Sequence, residues 1–171
     1  MKFKILITFI MCFSFLYGEN TEVKKVYRGG MLWKKTTYLN KQKNGIELVY
    51  DGKERVLFEI PYKNNKIDGV KKEFYDDGKL RSTTPYSAGK IHGIFKGYYK
   101  NGNLGMKTPY IKGIRQGEEI LYHSNGKVFS RKIFINNRVD GVETGYSDDG
   151  VTVTSKIYWK NGINVTKKKH P

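Results

Sequence analysis

The stretch that decides the fold is Tyr62-Lys63-Asn64-Asn65-Lys66-Ile67-Asp68-Gly69-Val70-Lys71-Lys72-Glu73-Phe74-Tyr75-Asp76-Asp77-Gly78-Lys79-Leu80-Arg81-Ser82-Thr83-Thr84-Pro85, which Tyr86 follows. Tyr86 opens the same pattern again, with Gly93, Tyr98, Gly102, Pro109 and Tyr110 in phase. From Tyr110 come Gly117, Tyr122, Gly126 and Phe134; from Phe134 come Gly141, Tyr146, Gly150 and Tyr158. Each step is 24 residues. A fixed period of this size is the signature of a repeat architecture.

Upstream, Tyr38 precedes Tyr62 by one period, with Gly45 and Tyr50 in register. There the second turn reads as shortened to Tyr50-Asp51-Gly52-Lys53, with Leu57-Phe58 restoring the length. The reading divides the chain into a signal segment, 1–18, and a repeat domain, 19–171. Within the domain it places a half repeat at 26–38, full repeats at 38–62, 62–86, 86–110, 110–134 and 134–158, and a degenerate cap at 158–171.

Residue types explain why one repeat is one β-hairpin. Asp77-Gly78, Asn101-Gly102, Asn125-Gly126 and Asp149-Gly150 are turn signals. Asn and Asp tolerate the left-handed region, and Gly enters it without steric cost. Gly69, Gly93, Gly117 and Gly141 mark the second turn region, either as turn geometry or as places where a ring crosses the backbone. The runs between turns are about seven or eight residues, a strand length. No apolar stripe of helical period survives between the glycines. The expected fold is all-β, a meander of eleven or twelve antiparallel strands in one long twisted or partly rolled sheet.

Two aromatic sets recur at fixed phase. One is Tyr38, Tyr62, Tyr86, Tyr110, Phe134 and Tyr158; the other is Phe74, Tyr98, Tyr122 and Tyr146. Equivalent rings one hairpin apart lie about 9–10 Å from each other. The expectation is that both sets interleave on one face, with Ile67, Ile91 and Val139 adding aliphatic contacts.

The amino terminus reads as an export signal. Lys2 and Lys4 precede an apolar run over residues 5–17, shorter than the ~20 residues a membrane span needs. Cys12, the only cysteine, falls inside it, so the mature chain has neither disulfides nor thiolate ligands. The expected location is a bacterial periplasm, cell surface or secretome.

The search for chemistry yields no catalytic, cofactor or metal residues. His92 fills the place of Asp68, Gln116 and Asp140, and His123 replaces Tyr75 or Tyr99; both read as structural variants. Asp76-Asp77 and Asp148-Asp149 are followed by Gly and read as turns rather than as paired catalytic carboxylates.

The net charge is +16, with 32 Lys and Arg against 16 Asp and Glu. Alternation along strands predicts an amphipathic sheet, one face aromatic and one basic. Lys71, Arg81, Lys107, Arg131 and Lys156 are the candidate anion-binding residues. Solubility and blunted sheet edges account for such charge as well.

The aromatic-Lys-Asn-Asn-Lys-x-Asp-Gly motif at Tyr62–Gly69, with Tyr98-Tyr99-Lys100-Asn101-Gly102-Asn103-Leu104, resembles the MORN-variant repeat, which is found in proteins labelled YwqK-type antitoxins. The resemblance covers about residues 26–162. It implies a hairpin sheet used for protein contact or, in some relatives, membrane association. The leading expectation is therefore a non-enzymatic interaction or scaffold module of the cell envelope with a protein partner. The alternatives are peripheral binding to an anionic membrane or polysaccharide through a basic face, and an antitoxin or immunity-like protein. Nucleic acid is the least favoured partner, and the open sheet edges allow a monomer or an edge-paired dimer.

Overall fold

The computed structural model describes residues 6–10 and 20–166. These residues contain strands and turns and no helix. Apart from residues 6–10, the predicted signal segment lies outside the described residues, as do Lys167-Lys168-Lys169 and His170 at the end of the cap.

The chain divides into two compact units, residues 1–90 and 91–171. The first holds β1 (Leu6–Ile10), β2 (Thr21–Arg28), β3 (Met31–Leu39), β4 (Gln42–Tyr50), β5 (Val56–Lys63), β6 (Lys66–Ile67), β7 (Gly69–Phe74) and β8 (Leu80–Ser87). At the division lies β9 (Lys90–Ile91). The second unit holds β10 (Gly93–Tyr98), β11 (Leu104–Ile111), β12 (Ile114–Arg115), β13 (Gly117–Tyr122), β14 (Val128–Ile135), β15 (Arg138–Val139), β16 (Gly141–Tyr146), β17 (Val153–Lys160) and β18 (Ile163–Asn164).

Each unit is an antiparallel meander. In the first, β2, β3, β4, β5, β7 and β8 pair in chain order, and β1 lies along the outer side of β2. In the second, β10, β11, β13, β14, β16 and β17 do the same. Among the described residues, no ladder joins the first strand of either unit to its last, so neither unit closes as a barrel.

Among the described residues the strands number eighteen rather than eleven or twelve, because in four repeats one strand is broken in two and because β1 and the short β18 add to the meander. The break falls at Asp68-Gly69, Gln116-Gly117 and Asp140-Gly141, where the glycines have φ of 110°, 108° and 92°. There the backbone N–H of Asp68, Gln116 and Asp140 donates to Pro61, Pro109 and Ile133, at 3.0–3.1 Å. The ring lying over Gly69 and Gly117 is a proline, not an aromatic. A Cβ at either glycine would stand 3.2 or 3.1 Å from Cγ of Pro61 or Pro109.

The second turn closes with two backbone bonds. In the repeat at 62–86, Tyr75 N–H donates to Lys79 and Gly78 N–H to Tyr75. The earlier copy is not shortened. Asp51 donates to Arg55 and Glu54 to Asp51, so Glu54 (φ 58°) occupies the place of Gly78, and Gly52 does not. The last copy is longer by one residue, since Ser147 donates to Thr152. That residue slips the register. Gly117 faces Phe134, but Gly141 faces Trp159. Strand side chains alternate, so a one-residue slip moves Tyr158 to the other face. Trp159 takes the expected place of Tyr158, and its Nε1–H donates to Glu143 at 2.9 Å.

Candidate functional site

Partners across an antiparallel ladder share a face, so the register assigns each side chain to one of two faces. The ladder face of the first unit carries Thr36, Tyr38, Glu47, Phe58, Tyr62, Glu73, Ser82 and Tyr86. In the second unit it carries Thr108, Tyr110, Glu119, Ser130, Phe134 and Trp159. Phe74, Tyr98, Tyr122 and Tyr146 follow β-bulges and alternate onto the reverse face, beside Leu80, Leu104, Val128 and Val153. The two aromatic sets therefore occupy opposite faces instead of interleaving on one.

What lies beside each ladder ring is the residue just past the tight turn. Tyr38 pairs with Lys43, Tyr62 with Ile67, Tyr110 with Arg115 and Phe134 with Val139. Cations also lie over the rings: Lys43 Nζ is 4.4 Å from the Tyr62 centroid, and the Arg115 guanidinium carbon is 4.1 Å from that of Phe134. Such contacts are worth about 0.5–1 kcal/mol each at exposed sites. Part of the basic excess is thus consumed in holding the repeat together.

Most of the buried positions are polar, with Ile120 and Phe134 the buried apolar ones among the described residues. Thr36 and Glu47 are 2% and 5% exposed, and Thr108 and Glu119 are 2% and 7% exposed. In each pair the threonine hydroxyl donates to the carboxylate at 2.8 Å. Lys43 donates to Glu47 at 2.8 Å, and Lys132 lies 3.3 Å from Glu119. Burial by itself raises the Glu47 pKa. The hydrogen bonds from Lys43 and Thr36 and the charges of Lys34 and Lys43 outweigh that, and hold the carboxyl below its ordinary value.

Successive turns are stitched by side chains. Asp68 Oδ2 accepts from Ala88 N–H, Gln116 Oε1 from Asn136 N–H and Asp140 Oδ2 from Asn161 N–H, at 3.0–3.1 Å. His92 Nδ1 accepts from Lys112 N–H at 3.4 Å in the same role. At the other turn, Tyr99 Oη–H donates to Tyr122 at 2.7 Å, and His123 Nε2 lies 3.1 Å from the Ser147 carbonyl oxygen. Both histidines thus serve as cross-repeat links. Asp77 and Asp149 accept from the N–H of Lys79 and Val151 within their own turns. Asp149 also accepts from Ser147 Oγ–H and Thr152, which holds its carboxyl well below the usual range. No group of three or more potential metal ligands converges among the described residues.

The five candidate anion-binding residues divide between the faces. Lys71 and Arg81 are on the ladder face, where Lys71 lies 4.8 Å from the Phe58 ring and Arg81 pairs with Glu73 at 3.0 Å. Lys107, Arg131 and Lys156 are on the reverse face of the second unit. Successive pairings Lys96–Lys107, Lys107–Ile120, Ile120–Arg131, Arg131–Thr144 and Thr144–Lys156 put them in one line across six strands. Lys96 belongs to this line and was not among the candidates. Only the register shows it, because its ladder partner lies eleven residues away.

A second line runs beside the first. Ile94 pairs with Pro109, Ile133 with Glu118 and Val142 with Tyr158. Ile94, Ile133, Val142 and Tyr158 are each 41–49% exposed. The same line in the first unit holds Ile46, Pro61, Val70 and Pro85. Reverse faces thus present aliphatic side chains to solvent in register, repeat after repeat.

A hairpin meander with this period defines a β-repeat protein. Residues 67–88, 91–112 and 115–136 match the MORN repeat variant, so residues 67–136 are three consecutive MORN-variant repeats. The matches begin 24 residues apart, at the residue after each tight turn. No curated protein compared with the chain matches it.

Proposed function

We propose that the chain is a non-catalytic binding protein of the bacterial cell envelope, that it acts after export, and that the reverse face is its contact surface for a protein partner. The observation that carries this reading is the exposed aliphatic line. A monomer rarely leaves a stripe of apolar side chains uncovered without a binding role, and in the second unit Glu118 interrupts this one. The test is a photo-crosslinking residue placed at Ile133 or, on the other face, at Thr84, in cells. A single adduct from position 133 that disappears on adding Val142→Asp is the expected result. Equal adducts from both positions, or none from 133, would overturn the assignment of the face. Export is tested by the amino terminus of the mature protein, expected at residue 19.

A second reading, attachment to an anionic surface, is favoured by one feature. The line of cations in the second unit contains no acidic residue, whereas the equivalent line in the first unit contains Glu59, paired to Lys72 at 2.9 Å.

A further inference from the structure

The line of cations on the reverse face of the second unit is arranged for a linear ligand. Lys96 and Lys107 are directly opposite each other on neighbouring strands, a placement that costs stability. Among the described residues, Lys96, Lys107 and Lys156 make no ion pair, and Arg131 reaches only the exposed Glu118, at 3.5 Å. Lys107, Arg131 and Lys156 fall on β11, β14 and β17, two strand spacings apart, which is about 9–10 Å per step. Between them stand the uncharged Ile120 and Thr144. Along one side runs the exposed line of Ile94, Pro109, Ile133 and Tyr158, broken by Glu118.

We infer that this line is a binding site for a linear acidic polysaccharide, with one carboxylate or sulfate per disaccharide. An extended disaccharide is about as long as two strand spacings, so successive acidic groups meet Lys107, Arg131 and Lys156 in turn. The C–H faces of the sugars lie against Ile133, Pro109 and the Tyr158 ring. A bilayer is the poorer fit. A bilayer spreads its headgroups over a plane, whereas these cations stand in a single line; Tyr98, Tyr122, Tyr146 and Tyr158 share the reverse face with them, and Trp159 and Phe95 are on the other. This inference rests on the second reading above, attachment to an anionic surface through the reverse face, and it names the ligand class for the second unit.

The test uses the full mature chain and three probes: hyaluronan oligosaccharides with one carboxylate per disaccharide, neutral dextran, and vesicles of phosphatidylcholine with phosphatidylglycerol. Isothermal titration is expected to show hyaluronan binding that weakens with added salt, no dextran binding, and weaker or absent vesicle binding. Replacing Lys107, Arg131 and Lys156 together by Gln is expected to weaken hyaluronan binding about tenfold or more, the sum of three screened surface contacts. The matched replacement of Lys25, Lys35 and Lys72, on the first unit's reverse face, is expected to leave it unchanged. Equal loss in both triple variants, equal binding of dextran, or vesicle binding without hyaluronan binding would overturn the inference. If hyaluronan fails while the crosslink at position 133 persists, the ligand class falls and the contact surface stands.

Discussion

At the scale of single residues, backbone conformation sets the sharpest demands. Glu54 sits at φ 58°, in the turn position that Gly holds in the later repeats. The left-handed region costs a residue with a Cβ about 1–2 kcal/mol. Glu54→Gly is therefore expected to raise stability, offset in part by greater freedom of the unfolded chain, for a net gain of up to about 1 kcal/mol by urea denaturation. Gly69→Ala is the opposite case: φ is 110° and Pro61 Cγ would lie 3.2 Å from the new Cβ. It is expected to cost about 2 kcal/mol or more. Gly29→Ala, at φ 57° with no atom within 4 Å of the new Cβ, is expected to cost less.

Glu47 supplies a pH dependence at the same scale. Its folded pKa is depressed, so it stabilises the protein above the unfolded glutamate value and loses that contribution as the pH falls through the folded pKa. The urea midpoint is expected to drop below about pH 4. Glu47→Gln is expected to flatten that drop while lowering stability at pH 7, because Lys43 and Lys34 lose their partner.

At the scale of elements, the hairpin period was legible, because Asn-Gly and Asp-Gly mark turns whatever the surroundings, but the break of one strand beside Gly69, Gly93, Gly117 and Gly141 was not. Register was not legible. Val151, in the longer last turn, shifts every following side chain by one place, and the sequence offers two adjacent rings, Tyr158 and Trp159, with nothing local to choose between them. The bulges that send Tyr98 and Tyr122 to the reverse face were equally silent, since simple alternation cannot reveal an extra residue. Trp159→Ala is expected to cost about 2 kcal/mol, and Tyr158→Ala less than about 0.5 kcal/mol. Deleting Val151 restores the shorter turn and is expected to return Tyr158 to the ladder face. Trp159 then points to the reverse side, and a red shift of its fluorescence checks the outcome.

At the scale of the whole molecule, the repeats obey nearest-neighbour logic. Removing residues 112–135, one full period, joins Ile111 to Asn136 in register. Such a chain is expected to keep its β-rich circular dichroism spectrum with a lower melting temperature. Removing 113–135 instead throws every later residue onto the wrong face and is expected to abolish cooperative unfolding. The candidate contact surface was half legible. Lys107, Arg131 and Lys156 could be named from charge and phase, but their alignment with Lys96, and the engagement of Lys71 and Arg81 with groups on the opposite side, required cross-strand pairing.

Each ladder described within a unit joins strands that follow one another along the chain. No strand waits for a distant segment to be synthesised. A polypeptide delivered end first, from a ribosome or through a narrow channel, can build its structure in the order in which it emerges. Its growing edge always meets its proper partner next, which shortens the time an unpaired edge is open to other chains.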